Sequence, residues 1–286
     1  MPKLKSIKVR SLSEFTNFVE NELATAKANS EGRKHRNLWF RGHGVQDYKL
    51  IPSLYRHPKL TSHKDLLDLE SRMIREFLRQ GILHENSSQN KWENESIETL
   101  SYMQHYGVPT RLLDWTSNPF IALYFSLTDA ERNKKGDEYT AAASVLILDP
   151  WAWNEAALHE QSYGQRGPAL PDSSSIDSYY PRSNYTDIDK AHMGLDPVAI
   201  LGTANNARMF AQKGMFTIFG KNTDPMEKIF EKEQYPASTL SKVLIEPECI
   251  EPLLLTLLSV GYTDSVAYPD HEGLALEIKR LNGFKA

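Results

Sequence analysis

The chain has 286 residues, 40% of them hydrophobic, which is enough apolar material to build a sizeable core as one large domain or two small ones. Its 33 basic and 37 acidic residues leave a formal charge of −4, so no global positive field draws it to nucleic acid, and only a local basic cleft would serve that purpose. A single cysteine, Cys249, excludes an internal disulfide and a multi-cysteine zinc site and suits a reducing, cytoplasmic setting. No run approaches the ~18 apolar residues of a membrane span, and the N-terminal MPKLKSIKVRSLSEF holds no stretch of signal-peptide type.

The S-x-x-E spacing of Ser11 and Glu14 predicts a capping box, followed by a helix with Phe15, Phe18, Val19 and Leu23 on one face. Residues 38–42, LWFRG, form an apolar run that stops at glycine and predict a short buried strand delivering Arg41 to its end. The spacing of Leu66, Leu69, Met73, Phe77 and Leu78 predicts a helix ending near Gly81, and a polar connector leads to a second helix from about Ser96 to Tyr106, with His105 in its last turn. In DWTSNPFIALYFSL, Ser117 or Asn118 is placed to cap a mostly apolar helix whose first turn holds Pro119. Strands are predicted at 143–149, 215–219 and 242–246. Residues 157–196, rich in Ser, Tyr, Pro and Asp, read as a lid or binding loop. IEPLLLTLLSVGY and EGLALEIKRLNG predict two helices near the C-terminus, each closed by glycine.

Polar residue types crowd together in HYGVPTRLLDWTSNPFIALYF, 105–125, at the start of a helix, where free N–H groups and the helix dipole favour an anion. A phosphate-bearing ligand fits that setting. The alternative is structural, with Asp114 paired to Arg111 and with Thr116 and Ser117 capping the helix. Arg41 poses the same choice: it either reaches into a cleft to grip a phosphate or carboxylate, or pairs with a buried acid such as Glu70. His105 either meets a ligand, acts as a base with Asp114, or caps its helix. Gln212 either binds substrate or closes a turn with Gly214. With no H-E-x-x-H, Walker-type or G-x-G-x-x-G motif, no metal site, P-loop NTPase or Rossmann dehydrogenase is expected.

Four strings, WFRGHGVQDYKLIPSLYR (39–56), HYGVPTRLLDWTSNPFIALYFS (105–126), ARMFAQKGMFTIF (207–219) and YPDHEGLALEI (268–278), resemble successive blocks of the FRG domain family, named for its Phe-Arg-Gly motif. The resemblance implies an FRG domain over 38–286 behind an N-terminal helical extension, 1–37. It also implies a bacterial or phage setting close to toxin and antiphage genes. Phe40-Arg41-Gly42, and Thr116-Ser117 leading into a helix, are further similar in order and character to ADP-ribosyltransferases of the Arg-Ser-Glu type. That second resemblance implies a single α+β domain with a split sheet and NAD as substrate. Arg41, Thr116, Ser117 and Glu272 would be catalytic, and Arg41, His105, Tyr106, Arg111, Asp114, Tyr124 and Gln212 would contact the dinucleotide. Glu246 and Asp114 are the other candidates for the carboxylate that stabilises the oxocarbenium-like transition state. The acceptor would be a protein, a nucleic acid or water, and the partner a neutralising antitoxin or a host protein, with no membrane involved. A second class of reading is a non-catalytic nucleic-acid or phosphate-ligand module with Arg41, Arg56, Arg111 and Arg208 along a basic cleft. A third is a structural interaction domain.

Overall fold

A computed structural model describes residues 2–29, 37–81, 96–136, 138–159, 167–202 and 214–284. The strands are β1 (Lys5–Lys8), β2 (Trp39–His43), β3 (Leu112–Thr116), β4 (Ala143–Leu148), β5 (Val198–Leu201), β6 (Gly214–Ile218) and β7 (Leu240–Ile245). They form one seven-stranded mixed sheet in the order β1-β7-β4-β2-β3-β6-β5, in which only β1 and β7 run parallel. The α+β class expected from the sequence is what the chain adopts.

Strand alternation divides the core. Phe40, Val145, Ile147, Val243 and Ile245 point to one face. There they meet α1 (Leu12–Ala28), α4 (Pro119–Thr128) and α8 (Pro247–Ser259). Trp39, Leu113, Trp115, Leu146, Leu148 and Leu240 point to the other, under the 3-10 turn Ser53–Arg56, α5 (Pro150–Ala157) and α7 (Met226–Phe230). A third cluster joins Leu112, Phe216, Ile218, Val198 and Ile200 to α2 (His63–Gly81) and α3 (Ile97–His105). Leu112 and Thr116 lie on one side of β3 and Thr116 stands opposite Phe40, so this cluster and that of α4 share a face over different halves of the sheet.

The junction between those halves is thin. β2 pairs with β4 through five residues and β3 with β6 through five, yet β2 and β3 pair only at Phe40 and Thr116. The sheet is therefore continuous from edge to edge but parts beyond that one contact, at the level of Arg41 and Asp114.

The glycines in and just after β2 explain part of this geometry. A Cβ on Gly42 would collide with the carbonyl of Ala122 and the amide of Ser126, and one on Gly44 would collide with the Asp129 carbonyl at the end of α4. Only glycine lets β2 lie against the α4 backbone, so R-G-H-G is a packing motif as well as a chemical one.

The predicted helices and strands of the sequence reading form, with shifts of a few residues at their ends. Three strands are additional: β1, which is exposed throughout and held by its partner β7; the four-residue β5; and β3, whose Asp114 breaks the apolar run that would have signalled it. The helix after β3 is capped by Asn118, whose side chain accepts from Phe120 N and Ile121 N. Ser117 does not cap it, and Thr116 bonds Asn118 N instead. Residues 167–196 do not form a free lid: Ile176 and Tyr179 are fully buried, and the segment contributes the 3-10 turn Ser174–Tyr179 and α6 (Asp187–His192).

Replacing Gly42 by Ala should lower stability by about 3 kcal/mol, because neither α4 nor β2 can yield at a backbone contact. Urea unfolding that gave wild-type stability would contradict this packing.

Candidate functional site

Arg41 lies where β2 leaves β3. Along an unbroken antiparallel ladder the next pairs would bring Gly42 opposite Asp114, and that pairing is missing. The Arg41 side chain spans the gap: Nη1 donates to the Asp114 carbonyl at 2.6 Å, and Nε donates to His43 Nε2 at 3.2 Å. Asp114 Oδ2 is 3.9 Å from Nη1. The guanidinium is one quarter exposed and its charge is opposed by an acid that is itself 58% exposed. Burial lowers the Arg41 pKa, Arg56 adds to that effect, and Asp114 and Asp129 oppose it. An arginine so shifted still keeps its charge at physiological pH.

Asp114 is exposed in the middle of an otherwise buried strand because β2 is no longer beside it. Its Oδ1 accepts from Gln104 Nε2 at 2.6 Å, and Gln104 Oε1 in turn accepts from the Thr110 hydroxyl. Thr110 is tied to the 3-10 turn, where Leu54 N donates to Thr110 O at 3.0 Å and Thr110 N donates to Ser53 Oγ at 3.2 Å. The carboxylate thus stands on a chain of hydrogen bonds from a rigid turn, and that same turn ends in Arg56.

His43, like Gln104, is not among the residues that the sequence singles out. It follows Arg41 by two positions, hence on the same side of β2, and is 6% exposed. Its pKa is pushed down to about 3, first by burial and then by Arg41 and Lys242, while the Tyr48 backbone acts in the opposite direction and Arg56 adds a smaller downward push. A neutral ring is what its contact with Arg41 requires: Nε2 accepts from Nε–H, so the proton of the imidazole sits on Nδ1.

The other predicted residues scatter. Arg111 is fully buried, with Nε on both oxygens of Glu70 at 3.1 and 3.0 Å, Nη1 on the Phe219 carbonyl, and Nη2 on the Tyr179 carbonyl and the Tyr185 hydroxyl. Burial lowers its pKa but Glu70 raises it on balance. Among the described residues it is the fully buried arginine. It pairs with the acid proposed as one partner for Arg41, while Asp114 pairs with Arg41; the two expected pairings are exchanged. Tyr124 is 1% exposed with its hydroxyl on Asp264, which also takes Arg280, so it belongs to the core. Thr116 is 6% exposed, and Ser117 beside it is half-buried.

His105 and Tyr106 are exposed at the end of α3, just beyond Gln104, with their rings 5.0 Å apart. Tyr106, 62% exposed, rests edge-on against Tyr102. Glu272 is exposed in the first turn of α10 (His271–Leu281), which Asp270 caps. That helix packs on α9 (Asp264–Ala267), and Tyr268 between them meets Tyr124 and Phe125 of α4, so α4 stands between Glu272 and β2. Glu246 pairs with Lys8 at the edge of the sheet. Gln212 and Arg208 lie outside the described residues. Among the described residues no group of three metal-ligating side chains forms, and no helix is long and apolar enough to cross a membrane.

The fold is a mixed α/β domain with a recessed arginine and an exposed aspartate facing each other across parted strands. Residues 36–135 match the model of the FRG domain, and this stretch is an FRG domain. It holds β2, α2, α3, β3 and α4, and thus Arg41, His43, Gln104 and Asp114, while β1 and β4 to β7 complete the same sheet from residues outside the match. No curated protein and no solved structure matches the chain.

The depressed His43 pKa links stability to pH. Its folded value is below the ordinary 6.5, so its contribution is fully present above pH 6.5 and is lost as pH falls from there toward 3. Between pH 6.5 and 5 the chain should lose about 2 kcal/mol through His43, and a His43→Gln variant should lack that component. Equal pH slopes for the two proteins in urea unfolding would show that His43 is not the buried neutral group described.

Proposed function

We propose that the chain binds NAD, with the pyrophosphate on Arg41, and breaks the bond between nicotinamide and ribose. The observation that supports this is the opposed pair at the parting of β2 and β3. There Arg41 bonds His43 through Nε and the Asp114 carbonyl through Nη1, and Nη2 carries two further donors for a ligand. The Asp114 carboxylate is exposed beside it and oriented by Gln104. Guanidinium and carboxylate together match a phosphorylated sugar: the cation grips phosphate oxygens and the anion accepts from a ribose hydroxyl.

In this reading Asp114 takes the part that the resemblance to ADP-ribosyltransferases gives to Glu272. As the C1′–N bond lengthens, its electron pair leaves with nicotinamide, and positive charge grows on the ribose ring. A carboxylate held by a neutral amide is ready for that charge without rearranging. Water or a nucleophile of an acceptor then adds at C1′ and gives up its proton. Tyr106 offers an exposed ring for a nicotinamide or adenine to stack on, and Ser117 a half-buried hydroxyl near the start of α4. Depletion of NAD or modification of a host component would make such a chain a toxin or antiphage effector, which accords with the setting that the FRG resemblance implies.

Nicotinamide release from NAD, with and without cell lysate, tests the reading. Arg41→Ala and Asp114→Asn should each reduce release by about 10²-fold, while Glu272→Gln should leave it within about twofold. Dependence on lysate identifies transfer, and release without it identifies hydrolysis. No release from the wild type would overturn the cleavage chemistry. Release lost in Glu272→Gln and kept in Asp114→Asn would return the role to Glu272.

A further inference from the structure

We infer that His43 is the positioning residue that turns Arg41 into an anion receptor, by holding its Nε so that the Nη2 edge faces the opening between β2 and β3. The inference rests on the anion-binding half of the proposed function and not on its cleavage chemistry.

An arginine side chain has four rotatable bonds, and an exposed one spreads its charge over many positions. Arg41 is fixed at two points instead. Nη1 is held by the Asp114 carbonyl and Nε by His43 Nε2. Two bonds to one planar group define its plane and its rotation, which leaves Nη2 as the edge presented to a ligand. Without the Nε contact the guanidinium can pivot about the Asp114 carbonyl and settle toward the carboxylate of Asp114, closing the receptor on itself.

Only an acceptor can hold Nε–H, and His43 is maintained as one. The groups around the ring are cationic: Arg41 on its own strand, Lys242 on β7 and Arg56 on the 3-10 turn all disfavour a second proton. Burial acts in the same direction and is the larger effect. Tyr48 meets the ring edge-on with centroids 6.1 Å apart, which limits its rotation. A carboxylate at this position would serve as acceptor too, but would neutralise the guanidinium it orients. A neutral imidazole orients the cation and leaves its full charge for the ligand.

The test uses the full chain. Nitrogen-15 labelling of histidine should show His43 as the Nδ1-protonated tautomer, neutral from pH 7.5 down to 5. Titrations with inorganic pyrophosphate and with NAD should then separate the variants. His43→Leu should weaken both about tenfold, because orientation of a charge-assisted pair is lost. His43→Gln should stay within about threefold of wild type, because its amide oxygen reaches about as far as Nε2 and accepts the same N–H. Melting curves confirm that each variant is folded, and the tautomer is read on the wild type whatever the variants do. An Nε2-protonated ring, a titration near pH 6.5, or a folded His43→Leu that binds pyrophosphate as tightly as wild type would each overturn the inference. Absence of pyrophosphate binding by the wild type would overturn it as well. Pyrophosphate binding that depends on His43, with no NAD binding, would refute the dinucleotide reading and sustain the receptor.

Discussion

Where β2 and β3 separate after a single residue pair, the Asp114 carbonyl is met by the guanidinium of Arg41 and not by a ladder N–H. Backbone acceptors inside a sheet must be satisfied, and a side chain that does so becomes part of the framework. The local result is a gap with a cation in it. Everything else at the site follows from that exchange: Asp114 is exposed because its neighbouring strand has gone, and Gln104 can reach its carboxylate because α3 ends there.

The gap is maintained from both sides. On the β2 side, Gly42 and Gly44 press the strand onto the backbone of α4, so β2 cannot swing back toward β3 without leaving that helix. On the β3 side, Arg111 anchors the strand entry to Glu70 of α2, to the carbonyl after β6 and to the 3-10 turn at Tyr179. A buried ion pair is costly to desolvate, and its worth here lies in specifying position more than in adding stability. Arg111 and Arg41 have separate physical duties, one inside the core and one at the opening, and their partners decide which is which.

Much of the architecture was legible in the sequence because it rests on local patterns. LWFRG, ASVLILD and KVLIE are strands by composition, and Pro119 with Gly107 marks the borders of α4 and α3 as expected. The strand bearing Arg41 was equally visible, although Arg41 is its middle residue and not its end. What escaped depends on pairing across long sequence separation. Nothing in the residues near 111 says that Arg111 faces Glu70, 41 positions away, or that Asp114 faces Arg41, 73 positions away. β3 was hidden because its central residue is a charged one exposed by the absence of a neighbour, which no single-strand pattern encodes. His43 was missed because the predicted strand stops at Gly42, whereas β2 runs one residue further and places His43 two positions from Arg41 on one face. Gln104 carried no such signal.

The FRG match covers the two strands and the helices that frame the opening, whereas the sheet is completed by residues outside it. Amide chemical-shift mapping with ADP-ribose on the uniformly labelled chain reads out where a ligand enters. Saturable shifts should concentrate at Arg41, Gly42, His43, Gln104, Asp114 and Trp115 and disappear in Arg41→Ala. Shifts confined to the outer helices around Glu272, or none at millimolar ligand, would contradict this placement.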